Sequence, residues 1–359
     1  MSLLEDRYRY VLRLLPASYR AEREAEMVSA FMEGSGDLRD EDNPRPHWSE
    51  IASVAGLSVR VRLGGVGAAP RFFAWGEGVR LVAVLGLSFH AMMSCVWLVQ
   101  IVELYGISGP PSGDYSGSAA SAQRLWEIVQ VVTHLLWIAA FASLVRGRPR
   151  AAKVSALLAL MLIYGPIAQS GDVLWNGGVK PLVLHSLLFG VPVLALLTGF
   201  HRDAPRTRRP WWVAALPVGA GVLVYVVFKV LGSASMAPTI NWQFWSWVWP
   251  WLGESGLACL ALLAATVTCV GTHLWVPARR TPALPPALAI LVVPVTLAHV
   301  FYLTVDAIDP ATRTMVAVSV GQIVALLLCA VTLIVLTVRT MPTLPTGVSA
   351  GPVIPRRDS

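Results

Sequence analysis

The chain has 359 residues, 55% hydrophobic and 14% charged, with mean hydropathy +0.61; soluble proteins carry about 25% charged residues, so an ordinary soluble protein is excluded. Fourteen Trp, 29 Gly and 25 Pro spread through apolar text also exclude a coiled coil, a collagen-like repeat and a disordered chain. The formal charge of +7 divides unevenly: residues 1–64 hold nine Arg against eleven Asp and Glu, while the remainder holds nineteen Lys and Arg against ten acids. The excess belongs to the apolar part, so the basic balance does not mark a nucleic-acid-binding domain, and no nucleic-acid partner is expected.

The chain opens with charged residues where a signal peptide would have an apolar stretch, so no cleavable leader is expected. Leu4, Tyr8, Val11, Leu12 and Leu15 recur at helical spacing and predict an amphipathic helix over residues 2–15. Pro16 interrupts it, and Ser18 is expected to cap a second helix with Glu22, Glu24 and Glu26 near its positive end and Met27, Val28, Phe31 and Met32 on its apolar face. After an acidic linker over 34–42 and Pro44 and Pro46, a third helix is predicted over 48–62 with Ile51, Val54 and Ala55 facing inward. Three such helices suit a small cytoplasmic bundle or a membrane-surface unit.

The stretch from Tyr10 to Val28, with Phe31 and Glu33 after it, resembles the helical HAAS or permease-prefix modules that precede multi-pass segments in many bacterial membrane proteins. The resemblance covers about the first 60 residues and implies a regulatory or interaction module without catalytic residues. Some members of that group are linked with PadR-type transcriptional regulators and some are fused to transporter permeases.

Eight apolar runs follow, at about 79–103, 123–145, 154–170, 181–200, 211–232, 256–276, 286–305 and 314–338. Each is long enough, or nearly so, to cross about 30 Å of hydrocarbon as a helix; the third is the shortest. Arg146, Arg148, Arg150 and Lys153 follow the second run, Arg202, Arg206, Arg208 and Arg209 the fourth, Arg279 and Arg280 the sixth, and Arg339 the eighth. The alternate loops carry almost no basic residues, which predicts cytoplasmic termini and an even number of spans. The expected fold is therefore all-α: a polytopic helical membrane protein with about eight transmembrane helices over 79–338. A cytoplasmic three-helix module over 1–64 and a juxtamembrane linker over 65–78 precede them, and a Pro-rich cytoplasmic tail over 339–359 follows. The expected location is the bacterial cytoplasmic membrane.

Ionisable residues inside spans are costly and therefore candidates for function. Glu127, Gln130 and His134 share one face of the second span; His299, Tyr302 and Asp306 repeat that spacing in the seventh, which runs the opposite way. One expectation is a polar cavity opening outward between these spans, with His90 and His185 as further contributors. The weightier alternative has the carboxylates reaching headgroups at the span ends and the histidines making hydrogen bonds between helices. His90 and His134 could serve as an axial haem pair, but seven His in a multi-span chain offer some such pair in any case, and no cofactor or metal is expected. Cys95, Cys259, Cys269 and Cys329 lie in apolar runs and read as small buried hydrophobes. Lys229, near the outer end of the fifth span, is expected to snorkel. Trp242, Trp245, Trp247, Trp249 and Trp251 form an expected interfacial anchor.

Phosphate-loop, HExxH, GxSxG and kinase signatures are missing from the sequence. The expected function is non-catalytic sensing, scaffolding or regulation in the membrane, with the lipid bilayer and a cytoplasmic protein engaged through residues 1–64 as partners. A permease or permease subunit using the cavity between the second and seventh spans is the alternative, and a membrane-embedded redox or lipid enzyme is a weaker third.

Overall fold

Apolar runs of this length satisfy their backbone N–H and C=O groups internally as helices, because hydrocarbon offers them no partner. The computed structural model describes residues 3–35, 45–105, 122–169, 179–202, 204, 209–235, 242–276, 281–303 and 309–341. Among the described residues there are twelve helices and no strand. Helices α1 (Leu3–Leu12), α2 (Ala17–Ser35) and α3 (Trp48–Arg62) form the N-terminal module. Then come α4 (Pro70–Tyr105), α5 (Ala122–Val145), α6 (Pro149–Gln169), α7 (Val179–Gly199) and α8 (Trp212–Ser235), followed by the short α9 (Trp242–Leu252) and by α10 (Glu254–Trp275), α11 (Leu284–Tyr302) and α12 (Pro310–Thr340).

Six helices among the described residues are long and apolar enough to cross a membrane: α4, α5, α8, α10, α11 and α12. The third and fourth expected runs fall in α6 and α7. Helix α6 opens with Arg150 and Lys153 in its first two turns, and α7 contributes a shorter apolar stretch, Ser186–Gly199. The difference from eight thus lies in these two helices.

The module has its own core, in which Tyr8, Leu12, Leu15, Tyr19, Val28, Val54 and Val61 are buried together. Tyr8 stacks on Phe31 with ring centroids 3.9 Å apart, and Arg9 reaches Glu5 at 2.9 Å and Glu24 at 3.5 Å, tying α1 to α2. Ser18 lies inside α2; the Pro16 carbonyl instead receives the Tyr19 and Arg20 amides at its start. The Leu14 carbonyl accepts from Ser58 Oγ at 2.6 Å and Arg62 Nη2 at 3.0 Å, which docks α3 on the end of α1.

A short glycine-bearing turn joins module and membrane part. Gly64 and Gly67 take positive φ values of 81° and 79°, a region that only glycine occupies readily. Gly76 of α4 lies so close to the Leu63 carbonyl that a Cβ there would collide with it. Helix α4 therefore begins at Pro70, well before the expected start of the first span.

The membrane part has two apolar cores. One joins α4, α5, α6 and α7 around Leu87, Trp137, Phe141, Ala156 and Leu196; the other joins α10, α11 and α12 around Cys259, Leu288, Leu326 and Leu333. Helix α4 packs against α5, α7, α8 and α11 and so links both. More than half of its membrane window, 56%, is buried, against 11% for α8, which places α4 centrally and α8 on the periphery with its apolar side chains facing outward. All four cysteines are buried and free, as their apolar settings predict.

Candidate functional site

Among the described residues, His134, His299 and His90 lie at different helix contacts. His134 of α5 turns to α4, with Nδ1 3.2 Å from Ser94 Oγ and its ring parallel to that of Trp97, centroids 6.2 Å apart. Gln130 lies one turn earlier on α5 and is half-buried. His299 of α11 is buried, and its Nδ1 donates to the Val295 carbonyl of its own helix at 2.9 Å. Both α5 and α11 pack against α4: α5 is otherwise held by α6 and α8, and α11 by α7, α10 and α12. Asp306 and the side chains of Glu127, His185 and Tyr302 lie outside the described residues.

His90, at mid-length on α4, is 5% exposed. Its Nε2 donates to the Leu188 carbonyl of α7 at 3.2 Å, which assigns the neutral ring's lone pair to Nδ1; that atom is buried without a partner. The ring stacks on Phe189 with centroids 4.5 Å apart and lies 5.1 Å from Trp137. An axial haem ligand needs an imidazole nitrogen facing an open plane. His90 is enclosed by Phe189 and Trp137, and His134 is turned to Ser94 against Trp97, so the two rings do not fit such a pair.

His90 forms part of the wall of a cavity of about 150 Å³ where α4, α7, α10 and α11 meet. The remaining wall is almost wholly apolar, from Leu85, Phe89, Leu188, Leu262 and Leu291, with Glu254 at the start of α10. Gly86 sits on this wall at the α4–α7 crossing, where a Cβ would collide with the Pro192 ring, so glycine is what lets the proline-bearing helix approach. An apolar chamber of this size stays dry unless several polar groups hold water. Its chemistry is that of a hydrophobic recess with His90, Glu254 and Ser255 as its polar lining residues.

Sequence reasoning missed three polar partners. Ser94 Oγ lies within hydrogen-bond distance of His134 Nδ1, 40 positions away. Gln322 of α12, 1% exposed, donates from Nε2 to the Pro250 carbonyl of α9 at 3.2 Å; the only local signal was an amide side chain inside an apolar run. The tryptophan segment forms α9, which packs on α12 and α10. Trp245 is buried at its centre, Trp247 and Trp249 are exposed, and Trp251 packs on the second core; the Trp242 side chain lies outside the described residues. Lys229 has a partner the sequence did not reveal, Glu103 of α4, with Nζ 2.8 Å from Oε2. Among the described residues no group of three or more His, Cys, Asp or Glu is placed to hold a metal ion.

No known protein family, no curated protein and no solved structure matches the chain. The likeness of the first 60 residues to permease-prefix modules rests on those residues alone.

Proposed function

We propose that the chain is a non-catalytic regulatory or scaffolding protein of the bacterial cytoplasmic membrane that crosses it eight times with both termini inside. Its N-terminal module engages a cytoplasmic protein. The observation that carries this reading is the module itself: three helices with a private core, coupled to α4 through the Gly64–Gly67 turn and the Leu63–Gly76 contact. Tyr10 and Trp48 stand 70% and 81% exposed on it, and exposed aromatics of this kind suit protein recognition. The local hydrogen bonding of His90, His134 and His299 supports structural roles for them. The count of eight rests on α6 and α7, each 21 residues long, and on the alternation of basic loops.

The test uses cells lacking their own copy, with the transcript profile as readout and protein level in the membrane matched. The full chain and His134→Gln are expected to restore the profile, and deletion of residues 1–64 to fail. Restoration without residues 1–64, combined with failure of His134→Gln, would overturn the proposal and leave the permease reading. That second reading places its polar site between the second and seventh spans; a different recess, beside His90 and flanked by the proline-bearing helices α7 and α11, also favours it.

A further inference from the structure

The α5–α6 connection is tight. Gly147 takes φ 72°, and the Gly147 and Arg148 amides fold back onto the Leu144 and Ser143 carbonyls, so the end of α5 and the start of α6 lie side by side. A cavity of about 630 Å³ opens beside this turn. Arg150 and Lys153 from α6, Arg202 from beyond α7 and Arg60 from α3 of the module line it over a floor of Leu144, Leu197 and Phe200. No carboxylate lines it among the described residues. Lys153 is fixed in place by donating from Nζ to the Leu197 carbonyl at 2.9 Å, which leaves two ammonium protons for another acceptor. A neighbouring cavity of about 270 Å³ shares Leu144 and Phe200 and adds Arg80 and Arg209 against Glu77; Arg80 Nη1 is buried there without a partner.

Cations from α3, α6 and the segment after α7 thus converge on one recess, and no carboxylate among the described residues lines it. A surface that merely marks the inner face needs basic residues near the headgroups, not basic residues gathered around a cavity with an apolar floor. Guanidinium groups bind phosphate oxygens through paired N–H donors and an ammonium binds them as a point charge. We propose that this cavity binds the phosphate group of an anionic ligand, clamped jointly by Arg60 of the module and by Arg150, Lys153 and Arg202 of the membrane part. The phosphodiester of an anionic phospholipid headgroup and free inorganic phosphate offer the same oxyanion; the apolar floor suits the first glycerol and acyl carbons of the lipid. The position at the inner membrane face rests on the orientation proposed above, and the cavity then makes the module's seating depend on what occupies it.

The experiment uses the full chain, delipidated in neutral detergent, with its unfolding midpoint followed by tryptophan fluorescence. Phosphatidylglycerol is added in mixed micelles, phosphatidylcholine in a parallel series, and inorganic phosphate against chloride at equal ionic strength. A saturable rise with phosphatidylglycerol alone assigns a lipid, and a rise with inorganic phosphate assigns the free anion. Arg150→Gln and Arg202→Gln, both at exposed positions, are each expected to weaken the apparent Kd about tenfold. Arg339→Gln, an equally exposed cation at the end of α12, is expected to leave it unchanged. No saturable rise in either arm, an equal rise with phosphatidylcholine, or equal loss in all three variants overturns the site. Reporter fusions that place Arg150 outside, with binding intact, overturn the orientation and leave the site standing.

Discussion

At His90 an imidazole is held in an apolar interior by one interhelical hydrogen bond and by aromatic neighbours. Packing and hydrogen bonding are separable there. His90→Phe keeps a ring between Phe189 and Trp137 and loses the bond to Leu188, an expected cost of about 1 kcal/mol. His90→Ala loses the ring as well and enlarges the adjoining recess, an expected cost of about 3 kcal/mol. Unfolding in mixed micelles measures both, and equal losses would show that the ring contributes nothing. His90 was legible in the sequence as a polar residue within a span. The Leu188 carbonyl that satisfies it lies 98 positions away, and no local pattern announces a partner at that distance. Glycines behave in the same way: Gly256 reads as one small residue among many, yet in the fold a Cβ there would meet the Pro250 carbonyl and the Trp251 backbone. Gly256→Ala is expected to cost about 1–3 kcal/mol through overpacking, seen as a lower unfolding midpoint.

The existence and order of the long helices were more legible than their ends: Ser18 lies inside α2 and α4 begins at Pro70. Each of the eight apolar runs overlaps one long helix among the described residues, because the need to satisfy backbone groups in hydrocarbon is written in every residue of a run. Helix α9 was legible in composition but not in placement: five tryptophans suggest an interface, whereas packing on α12 buries Trp245 and engages Gln322 with Pro250. The start of α12 offers an electrostatic test. Asp309 caps it, accepting from the Thr312 hydroxyl and from the Thr312 amide at 2.9 Å, and the hydroxyl bond first, then the amide, holds its carboxyl below the ordinary value of 3.8. A carboxylate depressed on folding stabilises above its unfolded pKa and loses that contribution as pH falls through the lower folded value. Acidification through and below pH 3.8 is therefore expected to loosen the first turn of α12. Amide exchange at Thr312 and Arg313 reports it; Asp309→Ala should remove the pH dependence, and an unchanged dependence in that variant would refute the assignment.

The whole molecule is organised around α4, which the sequence presented as merely the first of eight similar runs. Hydropathy grades helices by lipid solubility, and α4 and α8 are similarly apolar although one is central and the other peripheral. What distinguishes them is which neighbours approach: Gly86 admits Pro192 of α7, and Gly221 of α8 sits against Cys95 and the Met92 carbonyl. The topology has its own check at this scale. A reporter active only outside the cytoplasm is expected to be active after Gly113 and inactive after Arg150; the reverse result would invert the orientation, and activity at both would remove α5 as a span.

Helix α4 runs unbroken for 36 residues, about 54 Å at 1.5 Å per residue. One end is wedged against Leu63 beneath the module, and the other carries Glu103, gripped by Lys229 of α8. With no interior proline to kink it, α4 runs continuously between those two contacts. The module's seat at Leu63 and the Lys229 contact from α8 thus lie at opposite ends of one unbroken element.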